Sequence, residues 1–166
     1  MRLFLFFTLW VFSHFASAQS YNNALGMRLG DDYGYSFTQR LLNHTTLELT
    51  HQDGLFSGKK RSTAILKQHT PLLTRRFNFF VGAGIHRTTY NTASDAIPVV
   101  STGAAFTLGT EITIGRLSVS LDMSPTYHLS KTSPARFESS SGVSIRYVIW
   151  KRKSGFSKFM QKLKFW

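Results

Sequence analysis

The segment Tyr127-His128-Leu129-Ser130, with Glu138 a short way downstream, brings together the residue types of a hydrolase. A serine hydroxyl is a poor nucleophile until an imidazole takes its proton and a carboxylate holds that imidazole in the right tautomer. In such a site Ser130 would attack, His128 would act as base, and Glu138 would orient it. A second set of ionisable residues is spread along the chain: Arg28, Arg40, Glu48, Lys67, His69, His86, Glu111, Asp122 and Arg146. Gathered out of water, these could form an ion path, a catalytic carboxylate pair or a rigid lattice of salt bridges. An isolated buried charge is too costly to leave unpaired. The chain has no cysteine, so no disulfide framework and no thiolate metal site are available, and no pattern in it calls for a cofactor or a metal ion. The elements that carry these residues decide which chemistry applies.

The stretch RFNFFVGAGIH, residues 76–86, shows the governing pattern. Phe77, Phe79, Val81, Ala83 and Ile85 form one set, and Asn78, Phe80, Gly82, Gly84 and His86 the other. Such alternation marks a β-strand. The same reading predicts strands over 22–30, 33–42, 45–52, 62–70, 77–89, 101–113, 116–126 and 139–150. The links at Asn43-His44, from Pro71 to Arg76 and at Gly115 are short. Those from Gln52 to Arg61, Tyr90 to Val100 and Tyr127 to Glu138 are longer and polar, with Asp31-Asp32 a tight exception.

Each strand has two unlike faces. Leu25, Met27 and Leu29 oppose Ala24, Gly26 and Arg28; Tyr35, Phe37 and Leu41 oppose Ser36, Thr38 and Arg40; Leu47 and Leu49 oppose Thr46, Glu48 and Thr50. Phe106, Leu108 and Ile112 oppose Gly103, Thr107, Gly109 and Glu111. Leu117, Val119, Leu121 and Met123 oppose Ser118, Ser120, Asp122 and Ser124, and Val143, Ile145, Tyr147 and Ile149 oppose Ser144, Arg146 and Val148. The fourth strand has the weakest contrast, with Ala64 and Leu66 against Ile65, Lys67 and His69. A soluble barrel would show a charge-rich second face to water, whereas this face is mostly Gly, Ser and Thr. A membrane barrel turns the apolar face to lipid and packs small and polar groups into a narrow bore.

The expectation is therefore an all-β fold, an eight-stranded antiparallel up-and-down transmembrane barrel. Its inward charges are Arg28, Arg40, Glu48, Lys67, His86, Glu111, Asp122 and Arg146, and Gly82 and Gly84 are expected to leave room for neighbours such as Arg28, Arg40 or His86. A bore of eight strands is only wide enough for side chains to fill, so a closed lumen is expected. Asp31, Asp32, Asp53, Asp95 and Glu138 are placed in loops at one end, among Lys59, Lys60, Arg61, Lys131 and Arg136. Those loops could meet lipopolysaccharide phosphates.

The opening residues, MRLFLFFTLWVFSHFASAQS, follow the grammar of a secretory signal peptide ending at Ala18: a cationic start, an apolar run too short to span a bilayer, then small residues. The formal net charge is +12, and in an exported protein the natural polyanion is a lipid headgroup rather than nucleic acid. Residues 19–150 make the barrel. Residues 151–166 carry Lys and Arg without an acid, and on a helical wheel Phe156, Phe159, Met160, Leu163 and Trp166 share a side, which suits a basic amphipathic helix or tail at the inner leaflet.

The stretches NALGMRLG at 23–30, FNFFVGAGIH at 77–86, LSVSLDMSPTYHL at 117–129 and GVSIRYVI at 142–149 resemble the small outer-membrane β-barrel proteins of Gram-negative bacteria, often described as porin-like. The resemblance implies an eight-stranded barrel in the outer membrane with both termini periplasmic, delivered by the barrel insertion machinery, and no established activity. In that family an aromatic residue closes the last strand as an insertion signal; Trp150 is close to that place, but the basic extension follows it. The His-x-Ser arrangement also looks similar to that of lipid A deacylases. Against that, the Asn- and Gly-rich surroundings of the deacylase motif are missing, and parity from Asp122 aims His128 inward unless Pro125 introduces a bulge. The leading expectation is a monomeric, non-enzymatic barrel in contact with outer-membrane lipids and lipopolysaccharide, serving envelope structure or surface interaction. The alternatives are a lipid A deacylase-like enzyme and a small-ligand transport barrel.

Overall fold

The computed structural model describes residues 21–54, 58–74, 76–90, 98–130 and 135–151. The signal peptide and nearly all of the basic extension, with Phe156, Phe159, Met160, Leu163 and Trp166, lie outside the described residues. Eight strands follow in order: β1 (Tyr21–Gly30), β2 (Tyr33–Arg40), β3 (Thr45–Asp53), β4 (Lys59–Thr74), β5 (Phe77–Tyr90), β6 (Val99–Ile114), β7 (Leu117–His128) and β8 (Phe137–Lys151). Each pairs antiparallel with its neighbours in sequence, and β8 pairs with β1, so the sheet closes into a barrel without an edge. Closure satisfies every ladder and leaves no strand free to recruit another chain.

The faces match the alternation residue by residue. Leu25, Met27, Tyr35, Leu66, Val81, Ile85, Phe106, Leu108, Leu121, Met123 and Tyr147 are exposed. Buried apolar residues are few (Tyr21, Ala24, Ile65, Phe80, Ala105 and Val148), and buried polar and charged residues outnumber them. This inverts the usual arrangement, in which charged residues are almost never fully buried unless paired.

Strand lengths depart from the sequence reading at both ends of the barrel. β4 starts at Lys59 rather than residue 62, and it runs through the proposed Pro71 turn to Thr74, with a register shift between Pro71 and Thr74. Proline, which has no N–H for the ladder, is tolerated at such an irregularity. β7 continues to His128 and β8 begins at Phe137, so Lys59, Arg61 and Glu138 belong to strands and not to loops. Register is unbroken on both sides of Pro125, with Ala105 opposite Thr126 and Leu108 opposite Met123. No bulge turns His128 outward, and it is 2% exposed.

Candidate functional site

Register places small residues beside long charged ones on the inner face. Arg146 lies between Gly26 and Ser118, Asp122 between Gly109 and Gly142, and Arg28 between Gly34 and Ser144. Gly82 stands beside Lys67, not beside Arg28, Arg40 or His86. Gly84 leaves no room for a side chain either, because a Cβ there would sit 1.9 Å from the carbonyl oxygen of Ala64 on β4. Its role is close approach of two strands. Gly142 is the position that clears space for a guanidinium, with a Cβ there falling 3.2 Å from Arg28.

Two clusters project into the bore. The first is centred on Arg146 of β8, whose Nη2 lies 2.7 Å from Glu48 Oε2 on β3 and whose Nη1 lies 3.4 Å from Glu111 Oε2 on β6. Its remaining donors meet Ser36 Oγ at 2.7 Å and Ser120 Oγ at 3.0 Å. Lys67 Nζ shares Glu48 at 2.6 Å and sits 4.2 Å from the centre of the Phe80 ring. The Tyr21 hydroxyl donates to Glu111 at 2.9 Å, and Arg28 pairs with Asp122, which also accepts from Ser124. These contacts join strands on opposite sides of the bore. Arg146 satisfies the conditions a buried ion pair needs, namely good geometry and partners for the donors that are left over.

The second cluster gathers on Glu138 of β8. Lys59 and Arg61, both on β4, pair with its Oε2, and the Tyr90 hydroxyl donates to Oε1 at 2.9 Å. His128 Nε2 faces the same carboxylate at 3.7 Å. On its other side, His128 Nδ1 lies 2.9 Å from Ser101 Oγ and 3.1 Å from His86 Nε2. His86 Nδ1 is 3.2 Å from the Ala104 carbonyl, which can only accept. His86 Nδ1 therefore carries a proton, and in the neutral ring Nε2 is the acceptor for His128 Nδ1–H.

Of the residues singled out in the sequence, Arg28, Glu48, Lys67, Glu111, Asp122 and Arg146 come together in the first cluster. His86 joins the second. Arg40 sits at the rim, where it donates to the Leu42 carbonyl and to Asn43 Oδ1, each at 2.9 Å. His69 caps the first cluster through Thr46 Oγ1 at 2.9 Å. His128 and Glu138 do face one another, but the hydroxyl 2.9 Å from the imidazole is that of Ser101; Ser130 lies past the end of β7. Arg61, Lys59, Ser101 and Tyr21 are interior groups beyond those singled out in the sequence. Parity along 67, 65, 63, 61 and 59 carries the signal for the two cations.

No protein-family model and no curated protein sequence matches the chain. Among solved structures it is similar to the N-terminal β-barrel domain of Pseudomonas aeruginosa OprF, with a TM-score of 0.63, 18% identity, and coverage of 78% of this chain and 98% of that one. The likeness shows the fold: a closed, eight-stranded, antiparallel up-and-down barrel of outer-membrane type. The expected resemblance to small outer-membrane barrels holds at that level.

Proposed function

We propose that this chain is an integral outer-membrane protein whose bore is filled by its own side chains, serving envelope structure or surface interaction rather than catalysis. The observation that carries the reading is the inverted exposure. A belt of Leu, Ile, Val, Phe and Tyr side chains covers the outside, far beyond the scattered apolar residues of a soluble surface, while Arg, Lys, Glu and Asp are buried inside. Hydrocarbon is the solvent that suits such a belt, and a closed barrel is the β-structure that can meet it. With an even number of strands, both termini share one side, here the periplasm. The strand ends at Asp53, Lys59, Tyr90, Val99, His128 and Phe137 then lie on the outer side.

A filled bore is supported by the span of the ion pairs and by the small cavity of about 20 Å³ between the two clusters, room for about one water. A non-enzymatic role is favoured because Ser101 is fully buried and the Glu138 carboxylate is occupied by Lys59, Arg61 and Tyr90. The partners of this reading are outer-membrane lipids, lipopolysaccharide and the machinery that inserts barrels, with Trp150 exposed at the end of β8 as the closing aromatic.

The test begins with alkaline extraction of membranes and with gel mobility in detergent before and after boiling. The expected result is retention in the outer-membrane fraction, a shift on boiling, and no steady large conductance when the unheated protein is placed in planar bilayers. Release into the soluble fraction contradicts the membrane reading, and sustained large conductance contradicts the filled bore. For the hydrolase alternative, cells carrying Ser130→Ala or Ser101→Ala should yield lipid A of unchanged mass; acyl-chain retention in either variant would reinstate an enzyme.

A further inference from the structure

One exposed cation stands in a setting of its own. Arg87 of β5 points to the outer face, in line with exposed Ile85, close to the end of the barrel that carries the longer connections. Other cations of the outer face have partners: Lys60 has Asp53 at 3.8 Å, and Arg116, at the opposite end, donates to the Tyr147 hydroxyl at 2.8 Å. Among the described residues no carboxylate pairs with Arg87.

The register around it is ordered by chemistry. Arg87 lies between Ser62 and Thr102, and Ser62 lies opposite His51, so hydrogen-bonding groups from four adjacent strands form one row. The row below it, farther from that end, is apolar and uneven in height: Leu49, Ala64, Ile85, Ala104 and Tyr127. Ala64 is a low point between Leu49 and Ile85. The result is a depression of about 590 Å³ on the outer surface, walled by Leu49, Ile85 and Leu129, floored by Ala64 and headed by Arg87 and Ser62. That volume lies within the range of small-ligand sites.

We infer that this depression is a binding site for one phosphorylated glycolipid of the outer leaflet, of the lipid A class. Its phosphate meets the Arg87 guanidinium and one acyl chain lies over Ala64 between Leu49 and Ile85. The inference rests on the membrane reading above, which puts this face against lipid and this end outside. Charge complementarity names the headgroup: a guanidinium presents a fork of N–H donors that matches phosphate oxygens. The hydroxyls of Ser62 and Thr102 on either side suit a sugar-phosphate more than a bare phosphodiester. The trough accounts for the chain, since a smooth belt would grip no single acyl group.

The full-length protein is placed in phosphatidylcholine nanodiscs doped with either purified lipid A or phosphatidylglycerol, and lipid retention is read by native mass spectrometry. The wild type is expected to retain one lipid A. Arg87→Gln, which removes the charge, and Ala64→Phe, which fills the trough without touching it, should each lower the retained fraction about tenfold. Arg116→Gln, a cation lost from the opposite end, should retain lipid A like the wild type. Equal retention by all three variants overturns the site, and so does retention of phosphatidylglycerol equal to that of lipid A. A chain that never enters the nanodisc overturns the membrane reading together with this inference; one that enters and shows no selectivity overturns the inference alone.

Discussion

At the scale of single residues, the interior is organised by neighbours that make room. Ser118 flanks Arg146, and Gly142 clears the Arg28 guanidinium that meets Asp122. Gly26 and Gly109 instead set close backbone approach, a Cβ there falling 1.9 Å from the Ile145 carbonyl oxygen and 2.2 Å from that of Leu121. In this lattice Glu48 is shared by two cations, Lys67 and Arg146. Glu48→Gln takes the carboxylate from Lys67 and leaves Arg146 with Glu111 alone, and breaking a buried pair from one side costs roughly 3–5 kcal/mol. Adding Lys67→Met removes the stranded charge. The double variant should therefore recover part of the loss, a coupling that unfolding titrations in lipid vesicles can read. Strict additivity of the two substitutions would mean that Lys67 and Glu48 are not paired in the folded barrel.

At the scale of elements, alternation carried most of the information. On β7, Leu117, Val119, Leu121 and Met123 look outward and Ser118, Ser120 and Asp122 inward, as their spacing in the sequence requires. Alternation failed where contrast fades. Around Lys59, Lys60 and Arg61 both faces are polar, so the start of β4 reads as loop although parity from Lys67 runs straight through it. The same blindness hid Glu138 at the start of β8, and with it the second cluster. Which carboxylate meets which cation was not legible at all, because strands β3 and β8 meet across the bore and only closure of the barrel brings Glu48 to Arg146. Strand β7 also supports a depth test. Leu121→Arg, well inside the strand, should reduce insertion stability by about 2–4 kcal/mol, while Leu117→Arg beside the turn should cost about 0–1 kcal/mol. Equal, negligible costs in a vesicle refolding assay would mean that this face meets water.

At the scale of the whole molecule, apolar side chains look outward and charged ones are buried toward the axis, the orientation that a surrounding bilayer requires. The most direct measurement is a nitroxide scan of residues 117–123 in the protein reconstituted into phospholipid vesicles, with collision rates measured against oxygen, which concentrates in hydrocarbon, and against a water-soluble nickel chelate. Labels at 117, 119, 121 and 123 should be oxygen-accessible with a rise toward the strand centre, and labels at 118, 120 and 122 shielded from both. Nickel-accessible outward positions, with no oxygen gradient along the strand, would contradict the account.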